Sequence, residues 1–266
     1  MGDNSFMKAV LLAPALAILT YAALCALLYL MQDRLLYLRT AEAARPGAGV
    51  LRLKCGEATL KVWELHREQR AAVIYFGGNA EDVSANLAGF AAAFPDRAVY
   101  LVNYRGYGGS TGSPSEAALI ADAESIYDWV SAHHDRIAVL GRSLGSGVAT
   151  ALATRRPLER LVLITPYDSI ANVAADHFSW LPVQRLLRDR YDSLARIGMV
   201  RVPVLAVVAE NDEVVLRARS DALIAAIPQR IRHVVMIAGA THNDIGSFPT
   251  YLASLRNFLA ADPASF

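Results

Sequence analysis

Gly141-Arg142-Ser143-Leu144-Gly145 sets a serine between two glycines, just after the apolar run Ile137 to Leu140 and just before a helical pattern. A serine on a sharp strand-to-helix turn presents its hydroxyl to a carbonyl carbon, and the flanking glycines leave room where side chains would strike the neighbouring strand or helix. Composition alone produces G-x-S-x-G in about one chain of this length in ten. The surroundings of Ser143 therefore carry more weight than the pentapeptide.

Activating a serine hydroxyl takes a base within hydrogen-bond reach and an acid that orients the base, and a nucleophile elbow expects them downstream in the order acid, then histidine. Glu210-Asn211-Asp212-Glu213 follows the apolar run Val204 to Ala209, and Gly239-Ala240-Thr241-His242-Asn243-Asp244 follows Val234 to Ile237. His242 is the histidine that follows a late strand in a Gly-containing loop. His233 is read as preceding its strand, and His66, His133, His134 and His177 stand before the acid. Asp212 is the expected acid, with Glu210, Glu213 and the earlier Asp168 as rivals. A developing oxyanion needs two preorganised N–H donors. The amide of Leu144, directly after the serine, is one. Phe76-Gly77-Gly78-Asn79-Ala80, at the end of an early strand, offers the amide of Asn79 as the second, with Gly78 as the fallback. No G-x-x-x-x-G-K-[ST] run suggests a phosphate loop instead.

These residues need a scaffold that brings loop ends together. Short apolar runs recur at Ala71 to Phe76, Ala98 to Val102, Ile137 to Leu140, Leu161 to Ile164, Val204 to Ala209 and Val234 to Ile237. Each reads as a strand covered on both faces. Helical stretches lie between them, clearest at Ser115 to His133, Leu144 to Arg155 and Arg217 to Ile227, with Pro114 opening one helix and Pro157 just beyond another. Strands alternating with helices predict an α/β fold, a mostly parallel sheet flanked by helices. Val50 to Leu53 and Leu60 to Leu65 read as an opening antiparallel hairpin around Gly56. Residues 172–199, with Phe178, Trp180 and Pro182, form a short helical, cap-like excursion between the fourth and fifth runs.

The 266 residues suit one catalytic domain, expected over 35–266. A net charge of +1, from 26 basic and 25 acidic side chains, argues against nucleic acid as a partner. The mean hydropathy of +0.28 is high for a soluble domain. Its source is the uncharged stretch Ala9 to Met31, long enough to cross a bilayer. This run exceeds the core of a cleaved signal peptide and no small-x-small site follows it, so residues 1–34 are expected to be a single-pass membrane anchor. Lys8 lies before the span and Arg34, Arg39 and Arg45 after it, a count that leans toward a cytoplasmic catalytic domain without fixing the side.

Gln32-Asp33-Arg34-Leu35-Leu36-Tyr37, Gly78-Asn79-Ala80, the block from Asn103 to Glu116 with its core Tyr104-Arg105-Gly106-Tyr107-Gly108, the elbow, Asp212 and His242-Asn243-Asp244 together resemble the membrane-anchored Bem46-like branch of the α/β-hydrolases. The resemblance runs from Gln32 to the C-terminal helix. It implies Ser143, Asp212 and His242 as a catalytic triad hydrolysing acyl esters or thioesters with neither metal nor organic cofactor. Gly77, where that family commonly carries His, and Thr241, where Gly often precedes the histidine, depart from the pattern. Membrane tethering points to lipid-like substrates or acylated proteins. An amidase or peptidase using the same triad and a catalytically silent membrane-anchored binding protein are the competing expectations.

Overall fold

Runs of Val, Ile and Leu too short for helices fold into one sheet. In the computed structural model, residues 4–261 are described. The opening hairpin joins β1 (Gly49–Cys55) to β2 (Ala58–Leu65) through Gly56, whose φ of +59° suits a residue without a side chain. β3 (Ala71–Phe76), β4 (Arg97–Val102), β5 (Arg136–Arg142), β6 (Arg160–Ile164), β7 (Val204–Ala209) and β8 (Arg232–Ile237) follow. The strands lie in the order β1-β2-β4-β3-β5-β6-β7-β8. β2 meets β4 antiparallel, and every later pairing is parallel.

β3, β4, β6 and β7 are buried along their whole length, as runs without polar alternation require. β8 departs from that expectation. It ends the sheet, so Val234 and Met236 stay 47 % and 48 % exposed. It also begins earlier than its apolar run, which places His233 within the strand and not before it.

The helices are α1 (Asn4–Leu36), α2 (Leu87–Ala93), α3 (Glu116–Ser131), α4 (Leu144–Ala153), α5 (Ile170–His177), α6 (Val183–Leu186), α7 (Leu194–Ile197), α8 (Arg217–Ala226) and α9 (Pro249–Ala260). α3 starts one residue after the expected Ser115, because the Ser115 hydroxyl caps it by accepting the Ala118 amide, with Pro114 standing before the cap. One core, around Ile74, Tyr100, Val139 and Leu163, includes buried residues of α3 and α4. The other, around Val73, Leu101, Leu140 and Val162, includes buried residues of α2 and α9. Alternating strand residues thus serve opposite faces.

Within α1, Pro14–Leu36 has a mean hydropathy of 2.0 and almost no burial inside the chain. Residues 1–3 of the expected anchor, and the side chains of 4–11 and 13, lie outside the described residues. The C-terminal end of α1 is held by the excursion carrying α5 and α6. The amide of Arg188 donates to Gln32 Oε1 at 2.8 Å, Gln32 Nε2 donates to the carbonyls of Tyr29 and Leu186, and Arg188 pairs with Asp33 at 2.8 Å. Just past the helix, the Tyr37 hydroxyl donates to Asp189 at 2.6 Å. Arg45 pairs with Asp82, so this flanking cation belongs to the folded body.

Candidate active site

β5 stops at Arg142 and α4 starts at Leu144, leaving Ser143 alone in the turn with φ +48° and ψ −116°. A non-glycine residue there costs on the order of 1–3 kcal/mol, held in place by its surroundings. The Ser143 amide donates to the Ile164 carbonyl at 2.9 Å, which ties the turn to β6. The glycines provide clearance: a Cβ on Gly145 would collide with the Phe76 carbonyl at the end of β3, and one on Gly141 with the Gly145 carbonyl.

The loops after β7 and β8 deliver the other two groups. His242 Nε2 lies 2.9 Å from Ser143 Oγ, and His242 Nδ1 lies 2.8 and 3.0 Å from the two oxygens of Asp212. Both side chains are nearly buried. Asp212 is held by the amides of Val214 and Val215, which donate to Oδ1 at 3.0 and 2.7 Å. The rival carboxylates are engaged elsewhere or exposed. Asp168 accepts from its neighbour's amide at Ser169, from Asn172 and from Arg219. Glu210 accepts the Gly239 amide, and Glu213 is exposed.

The loop after β3 passes beside the serine: a Cβ on Gly78 would sit 3.5 Å from Ser143 Cβ. The Gly78 amide donates to Glu81 Oε2 at 2.5 Å, which removes it as the fallback donor. Among the described residues, the amides of Asn79 and Leu144 have no acceptor within the protein. That of Leu144 opens α4, where helix amides point outward. The Asn79 side chain is fully engaged. Its Nδ2 donates to the Leu36 carbonyl at 2.7 Å, and its Oδ1 accepts the Leu38 amide and the Tyr107 hydroxyl, each at 2.9 Å.

Two further residues hold this arrangement, Glu81 and Arg142. Glu81 accepts from Gly78, Tyr75 and Asn86, with Arg142 at 3.5 Å. Arg142, read only as the variable position of the elbow, donates to the carbonyls of His242 and Asn243 at 3.0 and 3.2 Å. Burial disfavours the charge of Arg142, but Glu81, Tyr75 and Tyr251 together outweigh it and raise the affinity of the guanidinium for its proton. An acid three residues beyond Gly-Gly was the available signal for Glu81; nothing local marked Arg142. The Tyr104 hydroxyl donates to the Gly77 carbonyl at 2.8 Å, and Arg105 forms two bonds to buried Asp122. The tyrosine-rich block thus braces the loop after β3. Gly77 itself is tight, since a Cβ there would lie 2.5 Å from Val83 Cγ1.

The chain is similar to several known proteins. A family described as serine aminopeptidase, S33, matches residues 67–188. An uncharacterized protein of Mycobacterium tuberculosis is 44 % identical over 179 residues, 65 % of this chain and 63 % of that protein, so the chain spans less than two thirds of that relative's length. Protein bem46 of Schizosaccharomyces pombe is 29 % identical over 205 residues, covering 73 % of this chain and 68 % of that one. An esterase from Pyrococcus furiosus superposes with a TM-score of 0.70 at 17 % identity, over 84 % of this chain and 97 % of the esterase, and shares the fold.

Proposed function

Because the chain belongs to the α/β-hydrolases, on their Bem46-like branch, we propose that it is a serine hydrolase cleaving acyl ester or thioester bonds at a membrane. The observation that carries this reading is the continuous hydrogen-bonded line from Ser143 Oγ through His242 to Asp212. A carboxylate only accepts, so the Nδ1 proton sits between His242 and Asp212 and leaves Nε2 free to accept the serine proton. Ser143 Oγ attacks the acyl carbon as its proton passes to Nε2. The carbonyl electrons move onto oxygen, where the amides of Asn79 and Leu144 receive the charge. Collapse expels the alcohol or thiol, protonated by His242. Water activated by the same imidazole then releases the acid from the acyl-enzyme.

The triad consists of Ser143, His242 and Asp212, and the catalytic domain spans 35–266 with its excursion near 172–199. The apolar α1 supports membrane anchoring, and a site anchored in this way would meet lipid-like substrates or acylated proteins. A fluorophosphonate probe should label the wild type and fail to label a folded Ser143→Ala variant, whose kcat should drop by about 10⁶-fold. A folded wild type that resists the probe would defeat the mechanism. The aminopeptidase description of the matching family favours a second reading, amide hydrolysis by the same three residues. Comparing wild-type rates on short esters, acyl thioesters and aminoacyl amides separates the two.

A further inference from the structure

Resting on that acyl-hydrolase reading, we infer that the cavity between α1 and the excursion holds the fatty acyl chain of the substrate, which makes the anchor helix one wall of the substrate site. The cavity is about 420 Å³ and sits between Leu28, Leu35 and Leu36 of α1 and Ala174, Phe178 and Val183 of the excursion. That volume falls in the roughly 300–1,000 Å³ range of small-molecule sites.

No charged side chain lines it. Gln32 does, but its amide is already committed to Tyr29, Leu186 and Arg188, so it brings no unpaired polar group. Apart from Gln32 the polar lining is Tyr29, and a phosphate or peptide bond placed there would lose more hydration than one hydroxyl returns, whereas each methylene gains by leaving water. An unbranched acyl chain fits that chemistry.

The position of the cavity argues for the same occupant. Further back along α1, the Tyr21 hydroxyl donates to the Trp180 carbonyl at 2.8 Å, and Trp180 and Phe178 remain 56 % and 49 % exposed. A Tyr on the apolar helix, bonded to the backbone of an exposed Trp on the excursion, suits the boundary between lipid and water. At about 1.5 Å per residue, α1 with its 33 residues runs roughly 50 Å, while the hydrocarbon core needs about 30 Å. The helix is therefore long enough to emerge from lipid and continue along the cavity. At its other end the cavity reaches Leu36, whose carbonyl accepts from Asn79, next to Gly78 beside Ser143. With its tail in this cavity, a lipid would direct its acyl carbonyl past Leu36 toward the Asn79–Gly78 loop beside Ser143.

The test uses the full chain in phosphatidylcholine nanodiscs and the palmitate and acetate esters of p-nitrophenol. One variant fills the cavity from the excursion, Ala174→Trp, and one from the helix, Leu28→Trp. Wild type should prefer palmitate. Each variant that retains fluorophosphonate labelling of Ser143 should lower the palmitate-to-acetate ratio of kcat/KM by on the order of tenfold or more. Labelled variants that keep the wild-type ratio within about twofold, or a wild type without preference for palmitate, would overturn the assignment. A folded wild type that neither labels nor hydrolyses either ester would instead remove the hydrolase reading, and the acyl site with it. Two variants on opposite walls keep the test decisive if one fails to fold.

Discussion

Asp212 uses its Oδ1 on two backbone amides as well as on His242, so the carboxylate is locked before any substrate arrives. Asp212→Asn keeps the shape but replaces one acceptor oxygen with an N–H donor, which favours the wrong imidazole tautomer. Under the proposed mechanism kcat should fall by about 10⁴-fold with KM changed far less, as measured on the acetate ester with unfolding curves as a control. A second residue-scale prediction concerns His134, which lies away from the site. It is buried, with Nε2 2.7 Å from the Tyr100 hydroxyl and Nδ1 2.8 Å from the Gln69 carbonyl. Burial pulls its proton affinity below that of an ordinary histidine. The folded state then binds fewer protons than the unfolded one, so stability is present above the usual histidine value of about 6.5 and declines as pH falls below it. His134→Gln should flatten this decline in thermal melts taken across that range; an unchanged slope would assign it to other groups.

The elbow shows how an element forces a residue's conformation. α4 packs against β3 closely enough that the Phe76 carbonyl occupies the space a side chain at Gly145 would need. β3 is hydrogen-bonded on both sides, to β4 and β5, and cannot retreat. Gly145→Ala should therefore cost about 1–3 kcal/mol in denaturant unfolding and weaken fluorophosphonate labelling by displacing Ser143. Gly198→Ala is the matched control, since a Cβ there meets nothing and its φ of −62° suits alanine. It should change stability by less than about 0.5 kcal/mol. The loop after β3 is likewise set by neighbouring elements: Tyr104 and Tyr107, past the end of β4, hold Gly77 and Asn79 in place.

At the scale of the whole molecule, α1 and the hydrolase body meet through Gln32, Tyr37 and Asn79, and removal of the helix would expose one side of the apolar cavity. An uncleaved anchor predicts that the full-length protein stays in the membrane pellet through an alkaline carbonate wash and is released only by detergent. A shortened protein in the wash supernatant would indicate cleavage instead. The order of strands and helices, the turn that carries Ser143 and the position of His242 were legible from local spacing, because hydrophobic period and glycine placement are properties of neighbouring residues. The length and apolarity of α1 were legible for the same reason. Asp212 could be ranked above Asp168, Glu210 and Glu213 but not separated from them, since all four stand near strand ends and only packing decides which carboxylate meets the imidazole. Arg142 was silent because its partners lie in a loop after β8 that the sheet brings to it. The cavity was equally unreadable: apolar side chains announce that they will be buried, but not against which surface. That choice, which sets α1 beside the excursion and ties it to the loop after β3, belongs to the tertiary structure alone.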